Sequence, residues 1–429
     1  MSKFCPVSLL DIGGKVLENI LINRINHHVF SQGFVNGNLF GFTPQKGTID
    51  AAMAVKVFVK EGLAAGEVIA LVSLDVQGAF DAVWWPRILK ELRACGCPKN
   101  LYELTKSYFT QRTATLSTNS LHLEKEISRG CPQGSCCGPG FWNLQYNSLL
   151  NLQFMTRTKV VAFADDVILA IRGESVRAVE NYSNTELSKI TLWSKNNKII
   201  FNERKSKVML VSRRKRREHR NITVYLNNKP LEQVTRMKYL GIILYHKFRF
   251  QEHINYAAET CAKLIYNLSK MAKLIWGIKH AVIASIYKGA ILPLLTYGAP
   301  VWIDVMKYEH NRQKYIRVQC LINIRMAKVY RTTSSKALCM LTEMTPIIIK
   351  LEEVVKRYKI KEKLGNCTFE LDSNVELKYW PHPADAVTIK EVAGNEEALV
   401  QAYTDGSKHD QGVGSGAAIF IGSEMVAQR

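Results

Sequence analysis

The sequence is short of acid. Its 429 residues hold 37 Asp and Glu against 58 Lys and Arg, a formal net charge of +21. A compact chain so charged repels itself, and a polyanionic partner relieves that cost. Nucleic acid is therefore the expected partner, ahead of an anionic membrane surface. Also missing is any ordered cysteine pattern. Among ten Cys, Cys95 and Cys97 are two apart and Cys136 and Cys137 adjoin, but no C-x-x-C occurs. Zinc-ribbon and disulfide-scaffold readings fall away. The first residues do not read as a secretory signal, so reduced thiols in a cytosolic or nuclear protein are expected. Low-complexity linkers and fixed-period repeats are lacking too. So is a long apolar run free of charge or proline. The stretch from Ala281 to Ile303 carries Lys288, Pro293 and Pro300. It is expected to form a buried helix ending at a proline turn, and no membrane partner is expected.

What remains is globular in character. Hydrophobic residues make up 47% and charged residues 22%, which excludes wholesale disorder and collagen and leaves room for two to four domains. Helical spacing runs from Ser8 to Val29 through Val16, Leu17, Ile20, Leu21 and Ile25. Val68 to Leu74 is an unbroken apolar run ending in Asp75, the pattern of a strand buried on both faces. Phe80 to Ala94 reads as a helix. Val160 to Ile171 is a second apolar run, split by Asp165 and Asp166 into a hairpin. Val208 to Val211 reads as a strand. Ile222 to Leu226 and Leu231 to Val234 flank a turn at Asn227-Asn228-Lys229-Pro230. Residues 250–341 read as helical and basic. Residues 345–394 read as a connection, and strand character returns from 398.

Asp75 and the pair Asp165-Asp166 carry the strongest chemical signal. Adjacent carboxylates on a half-buried scaffold repel, and an isolated Asp-Asp is usually a polar turn. A third aspartate ending a strand ninety residues upstream changes the balance. Carboxylates from neighbouring strands can hold two Mg²⁺ ions about 4 Å apart, the arrangement that promotes in-line phosphoryl displacement.

The segments Leu74-Asp75-Val76-Gln77-Gly78-Ala79-Phe80-Asp81 and Phe163-Ala164-Asp165-Asp166 resemble the two metal-binding motifs of reverse transcriptases. Arg129-Gly130-Cys131-Pro132-Gln133-Gly134-Ser135, between them, resembles that family's proline-glutamine-glycine motif. Asn202-Glu203-Arg204-Lys205-Ser206-Lys207 and Tyr239-Leu240-Gly241 follow in the family's order. The chain most resembles the polymerase of non-LTR (LINE-type) retrotransposons. Gly41-Phe42-Thr43-Pro44-Gln45-Lys46 and Cys136-Cys137-Gly138-Pro139-Gly140-Phe141-Trp142-Asn143 are similar to the arthropod subgroup that inserts into ribosomal RNA genes.

The resemblance implies an α+β right-hand polymerase fold: partial fingers over 1–67, palm over 68–247, helical thumb over 248–345, a connection over 346–397 and a truncated RNase H-like hairpin over 398–429. It implies RNA-directed DNA polymerase activity with Asp75, Asp165 and Asp166 as metal ligands for two Mg²⁺, Mn²⁺ being able to substitute. Phe80 would block the 2′ position of the sugar, although a Phe opening a helix is commonly just core. Asp81 reads better as a helix N-terminal residue than as a further ligand. Gln133 would lie against the incoming nucleotide, with Gly134 allowing close backbone approach. Lys205 would stand near the departing pyrophosphate, and Lys46 would contact the triphosphate. Thr43 stands where many relatives carry Arg. Tyr239, Leu240 and Gly241 would grip the primer end. The run Arg213 to Arg217 would be a solvated loop or a template contact. Lys263, Lys270, Lys273, Lys279 and Lys288 would follow the duplex backbone without reading sequence.

Implied partners are an RNA template, a DNA primer, chromosomal target DNA and dNTPs. The implied site of action is the nucleus, after cytoplasmic synthesis. Asp405, with the glycine-rich turn after it, resembles the first acidic ligand of an RNase H domain. The remaining ligands are not reached before Arg429, so no RNase H activity is expected. The opening residues resemble the interior of fingers, so the chain is expected to be part of a longer polyprotein that also carries an endonuclease. A catalytically silent nucleic-acid-binding remnant is the alternative.

Overall fold

A computed structural model describes residues 8–118, 121–213, 221–270 and 279–361, and the backbone of 401–409, 412–421 and 424–428. The chain divides into two units, Met1–Trp380 and Pro381–Arg429.

The first unit is built on five strands. Helices α1 (Ile12–Ser31) and α2 (Thr48–Ala64) precede β1 (Val68–Leu74). Then come α3 (Trp85–Ala94), α4 (Lys99–Tyr108) and the hairpin β2 (Thr113–Thr118) with β3 (Leu121–Glu126). After α5 (Gly138–Leu150) follow β4 (Thr158–Phe163), β5 (Asp166–Gly173), α6 (Val176–Asn197) and β6 (Lys207–Val211). Short strands β7 (Tyr225–Leu226), β8 (Lys229–Pro230) and β9 (Glu232–Gln233) lead to the hairpin β10 (Arg236–Tyr239) and β11 (Ile242–Tyr245). The main sheet has the order β4-β5-β1-β6-β9, with β1 at its centre.

Alternation along β1 shows why that run is apolar throughout. Val68, Ala70, Val72 and Leu74 enter a core with α1, α3, α5 and α6. Ile69 and Leu71 enter a second core on the other face, with α2, the β10–β11 hairpin and the helices that follow. A strand covered on both faces has no side to leave polar. Its polar residues gather at its end, where Asp75 stands.

Beyond the sheet lie α7 (Gln251–Ser269), α8 (His280–Ile286), α9 (Leu292–Thr296), α10 (Ala299–Trp302), α11 (Glu309–Ala327), α12 (Ser335–Leu341) and α13 (Ile347–Lys361). A single π-turn over Tyr287–Ile291 joins α8 to α9. Gly298, in the left-handed region at φ 65°, separates α9 from α10. The apolar stretch 281–303 is thus broken rather than one helix, and Ile283, Tyr287, Ile291, Leu295 and Trp302 are buried in the second core. Among the described residues no single helix is long and apolar enough to cross a membrane. The bent pair His280–Thr296 and Ala299–Lys307 reaches that length and composition only jointly.

Two further sequence expectations change in detail. Phe80–Ala82 is one turn of 3₁₀ helix, and α3 starts only at Trp85. Pro86 follows the first helical residue and cannot donate to a preceding turn, so a single helix from Phe80 is interrupted. The hairpin expected over 222–234 pairs only Tyr225–Leu226 with Lys229–Pro230. Glu232 and Gln233 leave it to pair in parallel with Lys207 and Val208 of β6. Asn227 and Asn228, at φ 50° and 62°, make the tight turn that asparagine tolerates.

The second unit contains β12 (Gln401–His409), β13 (Gly412–Ile421) and β14 (Glu424–Gln428), antiparallel in that order. Asp405 lies on β12 opposite Gly416; its side chain is outside the described residues. So are Lys273 and the basic run after Arg213.

Candidate active site

The acidic centre forms where β1 ends beside the β4–β5 hairpin. Leu74 pairs with Val167, so one step further along the antiparallel register Asp75 comes abreast of Asp166. Phe163 pairs with Asp166, which leaves Ala164 and Asp165 as a two-residue turn. Ala164 sits at φ 53°, an uncommon conformation for a residue with a Cβ and one that costs free energy unless neighbours hold it. Several do. Trp142 of α5 donates its indole N–H to the Ala164 carbonyl at 2.9 Å. Asn143 donates its side-chain amide to the carbonyls of Gly41 at 2.9 Å and Phe42 at 3.2 Å. The Phe40 N–H donates to the Ala162 carbonyl at 2.8 Å, and the Ala162 N–H to the Asn38 carbonyl at 3.1 Å. A Cβ at Gly41 would overlap the Ala164 backbone nitrogen. Only glycine permits that approach.

The 200–206 segment is fastened to the other side. Gln77 N–H donates to Ile200 O at 2.8 Å, and Asn202 N–H to Asp75 O at 2.8 Å. Ser206 Oγ accepts the Asp75 N–H at 3.1 Å while donating to Asn202 O at 2.8 Å. These bonds place Lys205 Nζ 3.8 Å from Asp75 Oδ2.

The three carboxylates act on one another. Burial lifts Asp75 above the ordinary carboxylate range; Lys205 pulls it back and the Asp165 charge adds to the lift. Asp166 is lifted by burial and then by the charges of Asp165 and Asp75. Hard oxygen donors that resist ionising together are a donor set that a divalent cation relieves. Among the described residues no three such groups already stand at coordinating spacing. The donor chemistry fits a divalent ion.

Phe80 lies beside this centre in a partly buried aromatic group. Its ring is 6.2 Å from that of Phe42 and 6.2 Å from that of Trp142. Its carbonyl accepts the Cys131 N–H at 2.8 Å, tying the first acidic motif to the loop that carries Gln133. Gln133 and Gly134 are exposed. Asp81 is exposed in the short 3₁₀ turn.

The remaining expected residues are differently placed. Lys46 is turned to its own segment: its ammonium donates to Gly37 O at 2.6 Å and Leu39 O at 3.3 Å. Burial lowers its pKa, with Asp50 opposing. Tyr239 is buried, and its hydroxyl has no hydrogen-bond partner. Burial and then Asp166 raise that hydroxyl's pKa. Leu240 and Gly241, at φ 43° and 81°, form the β10–β11 turn. A Cβ at Gly241 would come within 2.8 Å of the Tyr297 ring. The Tyr297 hydroxyl is 2.8 Å from Leu240 O and 3.0 Å from Thr48 Oγ1.

Tyr297 was not legible as part of this arrangement, nor was Tyr146. Tyr146 is one helical turn beyond Trp142, with ring centroids 4.5 Å apart. It is fully buried and its hydroxyl lacks a partner. Burial, then the three aspartate charges, pushes its pKa well up. The i, i+4 spacing of Trp142 and Tyr146 was the available signal.

Comparison with known proteins agrees with this geometry. Residues 1–244 match the family model described as reverse transcriptase (RNA-dependent DNA polymerase), and the chain belongs to that family. Its fold is accordingly the right-hand polymerase fold, with the five-stranded sheet inside the matched residues. The chain is 28% identical over its whole length to a 115 kDa protein in the type-1 retrotransposable element R1DM of Drosophila melanogaster, covering 40% of that protein. It is 30% identical to the Pol polyprotein from the type-1 retrotransposable element R1 of Bradysia coprophila, over 77% of this chain and 32% of the relative. It is 26% identical to the RNA-directed DNA polymerase from the mobile element jockey of Drosophila melanogaster, over 78% and 37%. The chain therefore spans two fifths or less of these curated relatives. Telomerase from Candida albicans, solved with a fragment of telomeric RNA, aligns at TM-score 0.36 and 13% identity over 82% of this chain and 58% of that one. That likeness is too low to bear on function.

Proposed function

We propose that this chain is the RNA-directed DNA polymerase of a non-LTR retrotransposon, copying element RNA into DNA from a primer end at a chromosomal target. The observation that carries it is the meeting of Asp75 with the Asp165-Asp166 turn, and of Lys205 with Asp75 at 3.8 Å, inside the segment matched to the family. Asp75, Asp165 and Asp166 would hold two Mg²⁺ ions, which supply charge stabilisation at the attacking and leaving oxygens. The chain's own groups do the rest. Lys205 offers positive charge where the pyrophosphate leaves. The Phe80 ring, wedged between Phe42 and Trp142, stands against a 2′-hydroxyl. The loop at Gln133 and Gly134 faces the nascent pair, and the β10–β11 turn carries the primer end. Basic side chains of the thumb hold the duplex through its phosphates, so affinity falls with salt. The nucleus is the proposed site of action.

Primer extension on an RNA template with Mg²⁺ and dNTPs tests this, comparing the parent chain with Asp165→Asn. Extension by the parent and none by the variant supports the reading. If neither extends while both bind RNA in a salt-dependent manner, the chain is a binding remnant and the polymerase reading is wrong.

A further inference from the structure

Glu18 is a carboxylate with 2% exposure, on the inner face of α1 and remote in sequence from every acidic motif. Such a group is costly unless donors surround it. Donors from two other segments do so. Oε1 accepts the Tyr108 hydroxyl at the end of α4. Oε2 accepts the Ser135 hydroxyl at 2.9 Å and the Cys136 N–H at 2.7 Å. The Cys137 thiol donates to the Glu18 carbonyl at 3.2 Å, and the Cys137 N–H to Ser135 Oγ at 3.1 Å. The carboxylate therefore accepts one amide directly, that of Cys136 just before the N-cap of α5, and reaches the Cys137 amide through Ser135 Oγ, close to where that helix presents its positive end.

The segment so anchored follows directly on Gln133 and Gly134. At its other end the Cys131 N–H is fixed to the Phe80 carbonyl, and the Gln133 carbonyl accepts the Ser8 N–H at 3.1 Å. The exposed loop is thus held from both sides while Gln133 stays open to solvent. Anchoring a loop before it binds removes the ordering cost that binding would otherwise meet.

We infer that Glu18 is a positioning residue for nucleotide selection: its carboxylate holds the Pro132–Cys137 loop so that Gln133 meets the incoming deoxynucleotide. The inference rests on the polymerase reading above. It assigns the two oxygens different work, since Oε2 carries the loop and Oε1 carries α4.

The test measures dNTP KM and kcat in primer extension, together with amide exchange at Cys136 and Cys137 without substrate. Glu18→Leu is expected to raise KM by about tenfold or more with a smaller change in kcat. Glu18→Gln keeps one oxygen for the Cys136 N–H and should restore KM to within about threefold of the parent. Tyr108→Phe cuts only the Oε1 bond and should leave KM near the parent value. Val179→Ala, a cavity in the α6 core, controls for lost stability and should leave KM unchanged. Should Glu18→Leu fail to fold, Ser135→Ala weakens the same anchor from the loop side and carries the comparison. A parent-like KM in Glu18→Leu, or in Ser135→Ala where that substitutes for it, overturns the inference. If the parent chain extends no primer, the polymerase reading has failed on its own account. Amide exchange then decides whether Glu18 orders the loop, and unchanged protection in the variant overturns that too.

Discussion

The Lys205 ammonium lies 3.8 Å from the Asp75 carboxylate, although 130 residues separate them. The contact exists because the backbone of 200–206 is bonded to that of 75–77. Both side chains are solvent-accessible, so the pair contributes little to stability. Its weight lies in placing a cation at the acidic centre.

Lys205→Met is expected to lower kcat by about 10²-fold, the usual scale for losing one electrostatic stabiliser, with thermal stability near that of the parent. Lys205→Arg should recover part of the rate. Rapid-quench single-turnover extension reads this, and a Met variant with parental kcat would show the lysine to be a bystander.

Metal binding should be visible without catalysis. A ligand that binds only the folded state stabilises it, by about 1.4 kcal/mol at ten times its dissociation constant. Adding Mg²⁺ is expected to raise the Tm of the parent, and chelation to reverse it. Asp75→Asn and Asp165→Asn should show a smaller rise. Equal shifts in all three proteins would place the ion elsewhere.

Gly41→Ala is expected to be far more harmful than its size suggests. The new Cβ overlaps the backbone at Ala164, and overpacking of this kind costs about 1–3 kcal/mol. The displaced turn carries Asp165 and Asp166, so extension should fall by more than the loss of folded protein explains. Circular dichroism melts beside activity measurements separate the two effects.

His253, buried on α7 beside Trp302, offers a pH handle on stability. Burial lowers its pKa to about 4, below the ordinary 6.5 of the unfolded chain. Its contribution is therefore full above pH 6.5 and is lost as pH falls toward 4, amounting to about 3 kcal/mol at most. Denaturant melts between pH 7 and 4 should show this loss, and His253→Phe should flatten it. Parallel pH dependences in both proteins would contradict the assignment.

Much of the site was legible because its residue types are expensive. Aspartates ending apolar runs, and a glutamine between proline and glycine, stand out against a hydrophobic background. Lys46 was less legible. A lysine near a proline-glutamine turn suits a phosphate contact, yet its ammonium satisfies the Gly37 and Leu39 carbonyls of its own segment. The helix break after Phe80 was legible only in Pro86, because the apolar spacing continues smoothly into α3.

The sequence by itself determined that β1 is an apolar strand covered on both faces, the hairpin at Asp165 and the residue types of each motif. Each depends on neighbours within a few residues. Only tertiary structure decided that Glu18 belongs with Ser135 and Cys136, that the charges of three aspartates act on Tyr146, and that Tyr297 reaches Leu240. Glu18 and Tyr146 are polar groups on buried helix faces, where the local pattern reads as ordinary helix, and Tyr297 is an exposed residue just past a helix end. Their partners are fixed by which helices the two faces of one sheet bring together.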